Sequence, residues 1–396
     1  MIRPFEGIRV VDTTHVLAGP FAAYQLAVLG ADVIKVERLA QDPDQVRTQG
    51  PDGALNRANM GTFYLAQGSN KRSIALDLKH KAAQDIVRRL ATRADVFMEN
   101  YRPGAFKALG LGYEDLKALN PRLIYCSVSA FGQDGPRGSE TGYDNVIQAA
   151  SGIMAMTGTP EANPVKLGSP VIDYGTGFVA AFAIASALFQ RERTGRGQYI
   201  DLAMHDAALM LMSSHVTSYL VSGKEPAPNG NAYHFATMGG YATKDGYLML
   251  GASNMRQQKR LWELLERPDM VKTTTEQRIA DRAREAALLA DIFVTRTSQE
   301  WEEFLVPRRI PVSRVRKLSA ALADPQIATR SLLHRHAALP GGTRSYEVPM
   351  AAFRFAHGGP SVETPPPALG ADNDAILREL DFGDDDIAAL RAAGTI

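Results

Sequence analysis

Residues 8–37 read IRVVDTTHVLAGPFAAYQLAVLGADVIKVE, and this stretch decides the fold. The short β-branched run 8–12 has the character of a buried strand, 21–29 of the helix after it, and 32–37 of a second strand. Further strands are expected at 72–76, 96–99 and 123–128, with helices at 82–93 and 113–119 between them. Strands alternating with helices imply a parallel sheet covered on both faces, an α/β, Rossmann-like, doubly wound arrangement. Residues 178–191 are alanine-rich and apolar on nearly every side, which predicts a helix enclosed by the protein. A turn at 193–198 then leads into another strand at 198–202.

The pattern changes after about residue 220, where Pro226, Pro228, Asn229, Gly230 and Asn231 read as a linker. Residues 241–250 predict a hairpin, because Lys244-Asp245-Gly246 separates two strand-like runs and Asp-Gly favours such a turn. Charged helical stretches follow at 257–266, 275–297 and 299–305, then a proline-rich segment at 360–367 and an amphipathic helix at 372–380. The expected organisation is a large domain of residues 1–220 plus 330–396, with a smaller α/β domain of residues 225–325. A chain of 396 residues is long enough for two such cores.

Apolar residues at 45% and charged residues at 22% are ordinary globular values. Lysine plus arginine (44) balances aspartate plus glutamate (43), so no global field draws the chain to nucleic acid or to a membrane. The single cysteine, Cys126, lies in an apolar run and excludes an intrachain disulfide. The N-terminal residues lack a signal pattern and the longest apolar stretch, 178–189, is too short to span a bilayer, so a cytoplasmic location is expected. Seven histidines, His80, His205, His215, His234, His334, His336 and His357, show no metal-ligand spacing, and no metal is expected.

Candidate chemistry begins at the first strand's end, where Gly19-Pro20 opens a helix whose free N–H groups suit an anionic or polar group. A dinucleotide enzyme could begin this way, and Glu37 falls where such enzymes bind ribose. The turn nevertheless has one glycine where that fingerprint requires three. Lys71 and Arg72 open one strand, Arg102 follows another and Arg38 a third, a set of cations suited to phosphates. Asp173, in the run 168–177 (GSPVIDYGTG), follows an apolar stretch and precedes a helix. It reads either as an N-cap or as a nucleophile kept ionised by the helix N-terminus, with glycine N–H groups nearby for an oxyanion.

The chain resembles the family III CoA transferases, which include formyl-CoA, carnitine and dicarboxylate CoA transferases and the related α-methylacyl-CoA racemases. The resemblance rests on five ordered motifs: THVLAGP at 14–20, LGADVIKVE at 29–37, NKRSI at 70–74, ENYRPGA at 99–105 and RTGRGQ at 193–198. It implies that Asp173 is the nucleophile, passing through a mixed anhydride and an aspartyl-CoA thioester. It also implies an interlocked homodimer and no tightly bound cofactor, with CoA, acyl-CoA and carboxylic acids as the partners. Val16, Leu17, Ala18, Arg38, Lys71, Arg72, Asn100, Tyr101, Arg102, Lys107, Tyr143 and Met204 are the implied CoA-binding and substrate-binding positions. Tyr143 stands where the racemases carry a histidine, and a phenol with a free pKa of about 10 is a poor base, which favours transfer over racemisation. Leu17 and the short Gly239-Gly240 pair depart from formyl-CoA transferases, which have a glutamine and a four-glycine lid. Gly239 and Gly240 remain candidates for a short lid, a succinyl-CoA-type donor with a dicarboxylic or hydroxy-acid acceptor is expected, and His15 reads as a turn residue outside the catalytic set. Racemisation and non-catalytic acyl-CoA binding remain the alternatives.

Overall fold

The computed structural model describes residues 2–39, 41–339 and 341–396. The chain divides into two compact units, one of Met1–Met154, Lys166–Glu225 and Ala328–Ile396, the other of Ala155–Val165 and Pro226–Ile327. The first unit is built on six strands: β1 Arg9–Asp12, β2 Asp32–Glu37, β3 Lys71–Ala75, β4 Val96–Glu99, β5 Ile124–Ser129 and β6 Gln198–Ala203. Their order is β3-β2-β1-β4-β5-β6, and every pair is parallel. This mixed α/β order reverses between β1 and β4, the switch point at which the carboxyl ends of strands leave a crevice.

Burial on both faces explains the continuous apolar character of the strands: Val10, Val11, Val33, Ile34, Val96 and Phe97 are all buried. Helix Lys81–Thr92 shows how the sheet is covered. Its apolar positions recur at helical spacing and bury Ala83, Ile86, Val87, Leu90 and Ala91. Those side chains join Val11, Ile34, Ile74 and Phe97 in one core, where each large aliphatic contributes about 1.5–3 kcal/mol.

The long helix differs from its sequence reading. It runs Val171–Thr194 and buries only one side, through Ile172, Thr176, Ala180, Ile184 and Leu188, while Phe182 is 75% and Phe189 61% exposed. The buried side packs on helix Ala18–Val28. Approach is close because Gly177 has no side chain: a Cβ there would lie 2.7 Å from the Ala18 carbonyl oxygen. By length and composition this helix is also long and apolar enough to cross a bilayer, a property the sequence reading denied to the stretch 178–189.

The second unit holds an antiparallel sheet of β7 Met238–Ala242, β8 Tyr247–Gly251 and β9 Val312–Arg314. The hairpin expected around Lys244-Asp245-Gly246 is present, and Leu248, Leu250, Trp262, Phe293 and Trp301 fill the core behind it. The single helix expected at 275–297 is two, Thr275–Ala280 and Arg282–Phe293, broken at Asp281. Gly239 and Gly240, read from sequence as a short loop and candidate lid, sit inside β7, paired with Leu250 and Met249. Their lack of a side chain serves packing, since a Cβ on Gly240 would fall 2.3 Å from the Tyr247 ring.

Candidate active site

Asp173 occupies the first turn of helix Val171–Thr194 and is 7% exposed. It does not cap that helix. Pro170 is the N-cap residue and supplies no side-chain acceptor, and the cap comes from another element, the start of helix Asp144–Ala150. The Asp144 Oδ2 accepts the N–H groups of Ile172 at 2.7 Å and of Asp173 at 3.1 Å, while Gln148 Nε2 donates to Oδ1. The helix N-terminus is therefore neutralised by Asp144. The Asp173 carboxylate accepts no hydrogen bond from the protein among the described residues. Burial, and then the Asp144 charge, push its pKa up to about 7, the opposite of the depressed value that an unoccupied helix N-terminus would give. Gly175 and Gly177 lie within the helix and serve close packing against Leu211 and Ala18.

Facing Asp173 is the turn after β1, held by side chains from several elements. Lys35 Nζ donates to the Thr14 carbonyl at 2.7 Å, and Gln67 Nε2 to the Val16 carbonyl at 2.8 Å. Asn100, at the carboxyl end of β4, accepts the His15 N–H at 2.9 Å and donates to the His15 carbonyl at 2.8 Å, bridging the switch point. Both Asp44 carboxylate oxygens accept the Val16 N–H at 3.1 Å. The N–H groups of Leu17, Ala18 and Gly19, by contrast, donate to no protein acceptor among the described residues. They form the unfilled start of helix Ala18–Val28.

Three cavities share walls across this surface. A small one of about 70 Å³ is lined by His15, Val16, Leu17, Ala18, Asn100, Tyr143, Asp173 and Met204. A second, of about 490 Å³, shares His15, Asn100, Tyr143 and Ser129 with it and extends to Arg38, Tyr101 and Arg102. A third, also about 490 Å³, continues from Arg38 and Tyr101 to Lys79, Leu76, Phe106 and Leu109. Together they make a trough along the carboxyl ends of the strands, walled by cations at one end and closed by the buried carboxylate at the other.

The trough gathers most, though not all, of the positions singled out in the sequence. Lys71 is buried, with its Nζ 3.0 Å from Asp12 Oδ2 and 2.8 Å from the Pro20 carbonyl, so it secures the first helix and cannot take a phosphate. Arg72, at the amino end of β3, is held by Asp32 at 2.8 Å and Glu379 at 2.6 Å. Both are committed elsewhere, Lys71 enclosed with Asp12 and Arg72 held between Asp32 and Glu379, whereas Arg38 is half-exposed and paired only with the exposed carboxylate of Asp42 among the described residues. Lys107 lines a fourth cavity of about 240 Å³ with Glu99, Tyr113, Tyr125 and Tyr199, which meets the others at Arg102 and Phe106. Lys79, Asp44, Asp144 and His15 were not among the residues chosen from sequence. Lys79 had a legible signal, a cation just past the carboxyl end of β3. His15 lines the Asp173 cavity, burial holds its imidazole below the usual range, and its Nδ1 is buried without a partner.

A sheet whose switch point opens into such a trough, with cations along its wall, suits an elongated anionic ligand. Comparison with known proteins gives the class of that ligand. CoA-transferase family III matches residues 5–373, and the chain belongs to that family: it is a CoA-transferase, whose substrates are CoA thioesters. It is 35% identical to the human succinyl-CoA:glutarate CoA-transferase, covering 100% of this chain and 90% of that protein. The succinate–glutarate CoA-transferase of Agrobacterium fabrum is 34% identical, with 96% of each chain covered. Among solved structures, a CAIB/BAIF family protein from Brucella suis superposes with a TM-score of 0.83 at 34% identity, covering 96% of this chain and 100% of that one.

Proposed function

We propose that this enzyme moves CoA from succinyl-CoA to a dicarboxylic acid through covalent intermediates on Asp173. The observation that carries the reading is the placement of a buried, hydrogen-bond-free carboxylate at the closed end of a cation-walled trough. The nucleotide of CoA occupies the open end, where Arg38 and Lys79 meet its phosphates, and the pantetheine chain passes Tyr101 and Tyr143 toward Asp173. Ionised and poorly solvated, Asp173 attacks the thioester carbonyl, and the oxyanion is received by the free N–H groups of Leu17 and Ala18. Collapse breaks the C–S bond, leaving an aspartyl-succinyl anhydride and CoA thiolate. The thiolate attacks the aspartyl carbonyl, releasing succinate and leaving an aspartyl-CoA thioester. Acceptor carboxylate expels the thiolate to form a second anhydride, and the thiolate then takes the acceptor acyl group and frees Asp173. No net proton is consumed, and exclusion of water protects both anhydrides.

The homologues' substrates support the donor and the acceptor class. A homodimer is part of this reading, supported by the apolar residues that the first unit leaves exposed, among them Phe182, Phe189, Leu220 and Val221. The interlocked form rests on the resemblance in sequence. The test is incubation with succinyl-CoA and glutarate, followed by mass spectrometry of intact protein and of the Asp173 peptide. A CoA adduct on Asp173 together with glutaryl-CoA is expected. Exchange of the α-proton for deuterium with neither adduct nor transfer would overturn the proposal.

A further inference from the structure

Val16 has φ 67, in the left-handed region, where a β-branched residue is a genuine outlier. Such a conformation persists only when the surroundings impose it, and such residues cluster at functional sites. Here Val16 immediately precedes Leu17 and Ala18, which line the cavity with Asp173. Its N–H points at Asp44, whose two oxygens are equidistant from it. Asp44 is itself buried at the head of the one-turn helix Gln45–Thr48. That turn is anchored by Arg47, whose Nε and Nη2 donate to Glu37 at 2.6 Å.

We propose that Asp44 is a positioning residue for CoA transfer: by gripping the Val16 amide it holds that residue in the left-handed conformation that sets where Leu17 and Ala18 face Asp173. Without the carboxylate, the half-buried N–H loses its acceptor and Val16 relaxes to negative φ. The peptide plane between Val16 and Leu17 then turns against the Gln67 hydrogen bond on its carbonyl, carrying the Leu17 N–H, and with it the start of the helix, off the reacting carbonyl. Asp44 touches no reacting atom. The inference rests on Asp173 as the nucleophile, and a merely structural role for Asp44 makes a different prediction, because it does not depend on what occupies position 16.

The test is a double-mutant cycle between Asp44→Ala and Val16→Gly, read as kcat and KM for succinyl-CoA with glutarate as acceptor. Glycine adopts positive φ freely, so in its background the grip of Asp44 is redundant. In the parent, Asp44→Ala is expected to lower kcat by about ten- to hundredfold with KM for succinyl-CoA within about threefold. In the Val16→Gly background the same change should cost less than about threefold, and Asp44→Asn, which keeps an acceptor oxygen, should retain most of kcat in the parent. An equal loss in both backgrounds, or a loss expressed in KM, overturns the proposal. So does a crystal structure of Asp44→Ala in which Val16 keeps positive φ, a result independent of turnover. Asp173→Ala assayed alongside separates the two readings: transfer retained there sinks the nucleophile and leaves the coupling of positions 44 and 16 to be judged alone.

Discussion

Replacing Asp173 with asparagine should stabilise the protein, and by an amount that depends on pH. The Asp173 carboxyl has a folded-state pKa of about 7 against an ordinary value of 3.8. Below 3.8 it is protonated in both the folded and the unfolded chain and costs nothing. As pH rises, the unfolded chain ionises first, and the folded state loses stability at about 1.4 kcal/mol per pH unit until about pH 7, where the loss is complete. Multiplying that slope by the difference between 7 and 3.8 gives at most about 4 kcal/mol at pH 8. Asparagine is nearly isosteric and does not titrate. The advantage of Asp173→Asn over the parent should therefore widen by about 3 kcal/mol between pH 5 and pH 8, while transfer is abolished. Chemical denaturation of both proteins at the two pH values measures this. An advantage that is absent at pH 8, or the same at both pH values, would refute the claim that the buried carboxylate is held at a thermodynamic disadvantage.

The same carboxylate should give kcat/KM a rise through about pH 7 as Asp173 ionises, and Asp144→Asn, which keeps an acceptor for Ile172 and Asp173 but removes the charge, should move the midpoint to lower pH. An unmoved midpoint would dismiss Asp144 as a contributor. Lys71→Met and Arg38→Ala should separate structure from binding. The first leaves Asp12 with a weakened buried pairing and lowers stability by about 3–5 kcal/mol, whereas the second raises KM for acyl-CoA with little change in melting temperature. Gly177→Ala should destabilise the first unit and impair transfer together, because its methyl would press on the Ala18 carbonyl; a variant with parental melting temperature and kcat would contradict this packing.

The strands were legible because each is a short run with apolar residues bounded by turn residues, β-branched in β1 and β2, and 96–99 is read to the residue. The onset of the long helix was not, because Gly168-Ser169-Pro170 looks like loop while Pro170 serves as its N-cap. Its burial was misjudged for a related reason: a helix apolar all round looks enclosed, yet only the side carrying Ile172, Thr176, Ala180, Ile184 and Leu188 finds a neighbour within the first unit. Lys71 and Arg72 looked like ligands since local sequence shows charge and not pairing, and Asp12, Asp32 and Glu379 come from other elements. Asp173 could be chosen from sequence. Its electrostatics could not, since Asp144 reaches it across the fold.

That borrowed cap limits how far the proposed nucleophile can be carried from its setting. A peptide or scaffold bearing residues 168–177 alone would leave the Ile172 and Asp173 amides open, and Asp173 would face an unneutralised helix end. Its carboxyl would then acidify, remain ionised and hydrated, and become a weaker attacking group. The acidity of Asp173 is a property of two distant segments meeting, so selection can tune it at position 144 without altering the aspartate itself.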